Sequence, residues 1–122
     1  METPEDSDWL RTFGSPSVTE EVSGDDFVRE LRLEPESDQL LHVTWDVVGD
    51  SLRVRWTVGG VLRLDIFREG VWRISLGDQP AGTSGFRADY RHDDLSATTF
   101  VQVWPSFAYY DSPHHSWQAE LG

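Results

Sequence analysis

The sequence contains no cysteine and no lysine. Without Cys there are no disulfides, thiolate metal ligands or thiol nucleophiles, and a reducing compartment is the natural setting. Long apolar runs are missing too; none approaches the roughly 18 residues that a membrane-spanning helix needs. The first residues, Met1-Glu2-Thr3-Pro4-Glu5-Asp6, are acidic and polar. A secretory signal begins basic and continues apolar, so a soluble cytoplasmic protein is expected. Basic charge is scarce: ten Arg stand against 22 acids, for a net charge of −12. With no clustered basic footprint, neither nucleic acid nor an anionic membrane is an expected partner.

What is present is a small, acidic, aromatic-rich chain. Its 122 residues suffice for one domain. The apolar fraction is only 38%. Six Trp, six Phe and three Tyr compensate, since each can bury on the order of 150–250 Å². The charge is uneven. Residues 1–38 hold 12 acids and three Arg (−9), and residues 39–122 hold ten acids and seven Arg (−3). A negative field speeds the approach of a basic protein partner. It also simply aids solubility. An Arg-only basic set further fits a GC-rich or salt-adapted lineage, so acidity alone does not define a function.

Residues 1–22 read as an acidic, partly disordered arm. Within it, Trp9, Leu10 and Phe13 could instead pack on the domain as a helical turn or short strand. A single β-rich domain follows over 23–112, and 113–122 is a tail. Ser23-Gly24-Asp25-Asp26 resembles a helix start, which favours a short N-terminal helix at about 24–32. Phe27, Leu31 and Leu33 also fit strand alternation, with Arg29 as the exception.

Residues 39–76 predict a four-strand antiparallel meander. Leu41, Val43 and Trp45 alternate with polar residues, as do Leu52, Val54 and Trp56. Gly49-Asp50 is the expected first hairpin loop. A two-residue Gly59-Gly60 loop would place Leu64 and Ile66 on the wrong face, because a one-residue slip flips every side chain. Three-residue loops closed by Gly60 and Gly70 repair both later turns. The resulting inner face runs through Leu41, Val43, Trp45, Val47, Leu52, Val54, Trp56, Leu62, Leu64, Ile66, Trp72, Ile74 and Leu76. Fifth and sixth strands are expected around Phe86–Tyr90 and Ala97–Trp104, before Pro105. The fold class is therefore mainly β (α+β): a curled antiparallel sheet of about six strands with a short N-terminal helix, tending toward a half-barrel.

Those registers map the polar face. Asp46, Arg53, Asp65 and Arg73 form a balanced charge ladder, and Arg55 faces Arg63 with no acid between them. Like charges directly opposed are unfavourable, so a carboxylate from the arm, a partner acid or an anionic ligand is expected there. The aromatic stretch after Trp104, with Phe107, Tyr109 and Tyr110, suits core and lid packing. It also suits a binding patch, since Trp and Tyr are favoured interface anchors. The candidate binding residues are thus Arg55, Arg63, Trp104, Phe107, Tyr109 and Tyr110.

No catalytic signature is legible. There is no Gly-x-Ser-x-Gly elbow and no phosphate-binding glycine loop. His42, His92, His114 and His115 lack zinc-ligand spacing. No catalytic residue, metal or cofactor is expected. The expected function is a non-enzymatic interaction module, most concretely an inhibitor or immunity-type protein neutralising a basic partner. The alternative is a small-ligand-binding or cyclase-like protein with a pocket lined by Trp45, Trp56, Trp72, Phe86 and Tyr90.

Overall fold

Alternation of apolar and polar residues dictates most of what the chain does. The structure, a computed structural model, describes residues 1–15, 18–19, 27–77 and 79–115. Among the described residues, one helix, α1 (Asp6–Phe13), precedes nine strands: β1 (Val18–Thr19), β2 (Val28–Leu33), β3 (Gln39–Asp46), β4 (Ser51–Val58), β5 (Val61–Glu69), β6 (Val71–Ser75), β7 (Ser84–His92), β8 (Leu95–Trp104) and β9 (Ala108–His115). They form two antiparallel sheets, ordered β1-β2-β3-β4-β5 and β6-β7-β8-β9. The fold is mostly β with a short N-terminal helix, as the patterning indicates.

The helix lies earlier than expected. Asp6–Phe13 carries acids in its first turn and Arg11 in its last, complementing the helix dipole. Glu5 and Asp8 form a reciprocal capping box, and Gly14 closes the helix in a left-handed conformation. Val28–Leu33, assigned above to a helix, is instead strand β2. Leu31 and Leu33 point into the core. Arg29, the exception to its alternation, is held by an ion pair to Asp6 of α1 at 2.8 Å. Residues 24–26, the expected helix start, lie outside the described residues.

Trp9 explains why so short a helix is fixed. It is fully buried, stacked 5.1 Å from Trp45 of the first sheet and edge-on at 5.8 Å to Phe86 of the second. It therefore fills the space between the sheets. Around it pack Leu31, Leu41, Val43, Leu52, Val54, Val71, Ile74, Ala88 and Val101. The arm alternative in which Trp9 and Phe13 pack on the domain is the one the structure adopts for those residues.

The expected registers need three corrections. The first hairpin closes at Asp46–Ser51, with Val43 opposite Val54 and Trp45 opposite Leu52. The loop is thus four residues, stabilised by Asp46, whose Oδ1 accepts the Val48 and Gly49 N–H groups at 2.9 and 2.8 Å. A slip of two leaves every face unchanged. The second turn is two residues after all: Val58 pairs with Val61. Gly59 and Gly60 both have positive φ, 56° and 80°, as a primed turn requires. The face mismatch is repaired by a bulge, because Thr57 pairs with Leu62 and Trp56 with Leu64, leaving Arg63 extra. Leu62 is consequently exposed rather than in the core.

At Gly70 the chain leaves the first sheet altogether. Gly70 has φ 77°, and a Cβ there would collide with the Arg91 carbonyl oxygen. Its own carbonyl accepts the Arg91 N–H at 2.9 Å, and the Val71 N–H donates to Asp50 at 3.0 Å. The meander's fourth strand is thus the first strand of the second sheet, paired with β7. A bulge leaves Trp72 extra in β6, and Trp72 is partly exposed instead of inward.

Candidate interaction surfaces

At the end of the sandwich away from Gly70, four segments stand apart around a cleft. Thr12, Phe13 and Ser15 at the end of α1, Arg32 and Leu33 of β2 with Glu34-Pro35 beyond it, Ser84, and Val103-Trp104 line about 700 Å³. Phe13, Leu33 and Val103 supply apolar walls, and Trp104, 61% exposed, stands at the rim. The β2–β3 turn brings the acids Glu34, Glu36 and Asp38 to the same end, all exposed. Pro35 opens the turn. The Gln39 N–H donates to the Glu36 carbonyl at 3.0 Å, and the Gly59 N–H to the Asp38 carbonyl at 2.8 Å. An apolar recess lined by an exposed Trp, Glu34 and Arg32, next to a turn that exposes Glu36 and Asp38, can seat an apolar anchor carried on a basic surface.

The outer face of the first sheet is a different surface. Arg32 lies opposite His42, His42 opposite Arg55, and Arg55 opposite Asp65, forming one row across four strands. Arg53 donates to both Asp65 oxygens at 2.8 and 2.7 Å. Those hydrogen bonds hold the Asp65 carboxyl below its ordinary range and raise the Arg53 guanidinium. His42 Nε2 is 2.8 Å from Glu30 Oε2. Above these residues lies an open groove of about 500 Å³, with Phe67 and Val28 among its lining.

The six residues singled out from the sequence do not converge. Arg55 is in this row, but Arg63 is the bulged residue and does not face it. The opposed pair Arg55–Arg63 is therefore replaced by Arg55–Asp65 on one side and Arg55–His42 on the other. The expected ladder is also reordered. Asp46 is committed to its turn, and Arg73 belongs to the second sheet, 3.6 Å from buried Asp89. Trp104 and Tyr110 are exposed, at 61% and 58%. Tyr110 borders a recess of about 270 Å³ with Phe100, Gln79, Pro80 and Gln102.

Phe107 and Tyr109 face inward, because residues 108–115 form strand β9 rather than a lid and tail. Phe107 stacks on Trp56 at 4.5 Å. Tyr109 belongs to a clasp between the sheets. Arg68 of β5 donates to Asp111 Oδ2 at 3.0 Å, while Thr99 and Tyr109 donate to Oδ1 at 2.6 and 3.1 Å. Burial, then the Asp111 charge, push the Tyr109 hydroxyl up to about 12. Glu34, Glu36 and Asp38 were legible only as a turn, and Arg32 only as part of a misassigned helix.

The aromatic pocket is not assembled as proposed. Trp45 and Phe86 are buried against Trp9, and Trp72 lies outward beneath Arg91, 4.9 Å from its ring. Among the described residues, no group of three or more His, Cys, Asp or Glu is placed to hold a metal ion. No described helix is long and apolar enough to cross a membrane.

No protein-family model matches the sequence, and no curated protein is detectably similar to it. The fold, however, is shared. A chain of the contact-dependent growth inhibition toxin–immunity protein complex from Klebsiella pneumoniae 342 superposes with a TM-score of 0.77, covering 93% of this chain and 96% of that one at 14% sequence identity.

Proposed function

We propose that this protein is an immunity-type inhibitor, a non-enzymatic cytoplasmic protein that binds and neutralises a basic protein partner. One observation carries the proposal: the cleft lined by exposed Trp104 and Glu34, with Glu36 and Asp38 exposed on the turn that continues from it. Trp is the commonest kind of interface anchor, and a surrounding field of one sign speeds encounter with a partner of the other. The net charge of −12 acts in the same direction. The likeness in fold to a chain from a toxin–immunity complex supports the same class of function. A Cys-free composition suits a reducing cytoplasm.

The test begins with affinity capture from the native host, with the products of neighbouring genes co-expressed. A basic partner is expected. Charge reversal of Glu34, Glu36 and Asp38 to Lys should slow association and flatten its salt dependence, whereas Trp104→Ala should speed dissociation. Capture of an acidic partner, or full protection from the partner by the triple variant, would sink the proposal.

A further inference from the structure

The row Arg32–His42–Arg55 sets three cation-capable side chains on adjacent strands, directly opposite one another. Neighbouring strands are only about 4.8 Å apart, and like charges opposed at that spacing repel. The carboxylates nearby are already committed. Glu30, on the same face, is largely buried and lies 2.8 Å from His42. Asp65 takes two hydrogen bonds from Arg53, and Asp46 accepts backbone N–H groups of its own turn. What remains for Arg32 and Arg55 is distant: Glu30 lies 3.6 Å from Arg32 Nε and Asp65 lies 3.7 Å from Arg55 Nε. Both are beyond hydrogen-bond range. Among the described residues, the terminal guanidinium nitrogens of Arg32 and Arg55 carry no hydrogen bond. They open onto a groove of about 500 Å³, the size of a small-ligand site.

We propose that this groove binds a phosphoryl-type oxyanion of a small ligand, held by Arg32 and Arg55 on either side of His42. The choice of anion follows from acceptor count. Two guanidinium forks and the Thr44 hydroxyl line the groove as donors, and a phosphoryl group offers three acceptor oxygens where a carboxylate offers two. Phe67, 52% exposed at the rim, offers an apolar surface to the rest of the ligand. Arg32 borders both the groove and the acidic cleft, whereas His42, Thr44 and Arg55 line the groove alone, so Arg55→Gln separates this proposal from the immunity function.

The test is an NMR titration of isotope-labelled full-length protein with inorganic pyrophosphate, and with succinate at matched ionic strength. Saturable shifts of the Arg32 and Arg55 Nε–H and the His42 ring are expected with pyrophosphate. Arg32→Gln and Arg55→Gln should each weaken binding by about tenfold, the loss of one charge-assisted contact. Arg63→Gln, on the same strand pair but outside the row, should leave it unchanged. Folding of each variant is read from its own spectrum, and the wild-type shift map stands without them. Pyrophosphate shifts that do not saturate, or that miss these three residues, overturn the site. Succinate binding as tightly as pyrophosphate overturns the phosphoryl assignment. Equal affinity in all three variants overturns the assigned residues.

Discussion

The two ends of the sandwich use the same sheets to opposite effect. At one end the chain turns from the first sheet into the second at Gly70, and backbone hydrogen bonds to Asp50 and Arg91 leave no room for a side chain. At the other, α1, the β2–β3 turn and Trp104 stand apart around a cleft. Closure by main-chain hydrogen bonds depends on conformation, not on side-chain identity. The open end keeps a large apolar side chain in water, which makes it available to another molecule.

That contrast can be broken by mutation. Gly70→Val forces a β-branched residue to positive φ and drives its Cβ into the Arg91 carbonyl. A destabilisation of about 3–5 kcal/mol is expected in chemical denaturation. A loss below about 1 kcal/mol would mean that the corner yields easily and the ends are alike. Alkali should act next, through the clasp beside the corner. Tyr109 has a folded value raised from 10.0 to about 12. Its contribution is therefore complete below pH 10 and lost as the pH rises toward about 12, measurable as falling stability together with a late phenolate absorbance. Tyr109→Phe should abolish that dependence.

On the first sheet the sign reverses. Asp65 is held below its ordinary value by Arg53. Its contribution is present above the unfolded value near 3.8 and lost as the pH falls through the lower folded one. A carbon-detected titration should find Asp65 ionised in acid where exposed aspartates are already protonated, and Arg53→Gln should return it to the ordinary range. The smallest effect on folding belongs to the open end. Trp104→Ala should change stability by no more than about 0.5 kcal/mol. A loss above about 2 kcal/mol would show Trp104 to be a packing residue and would remove the distinction between the ends.

Much of this architecture was legible in the sequence, and what was missed shares a cause. Period-two patterning identifies the faces of β3, β4, β7 and β8 because burial acts on each side chain separately. It cannot choose between two devices that restore the same face. A three-residue loop and a two-residue loop with a bulge put Leu64 and Ile66 on the same face, yet the second shifts them by two residues along β4 and moves Arg63 away from Arg55. The cation row was invisible for another reason: β2 reads as a helix, and an expected first hairpin two residues out of register keeps His42 from facing Arg55. Sheet membership was likewise hidden. Gly70 announces a positive φ, but only the approach of Arg91 shows that the strand beyond it turns away. The acidic cleft could not be read because it joins residues 12, 34 and 104, which no local pattern relates.

The bulge at Arg63 carries a rule for how this hairpin can change length. Removing that one residue would restore a regular ladder and leave every residue from Leu64 to Glu69 on its present face, because Trp56 already pairs with Leu64 and Arg55 with Asp65. A single insertion or deletion within the regular part of β4 or β5 turns the side chains beyond it to the other face, whereas the bulge lets the hairpin shorten by one residue with both faces kept.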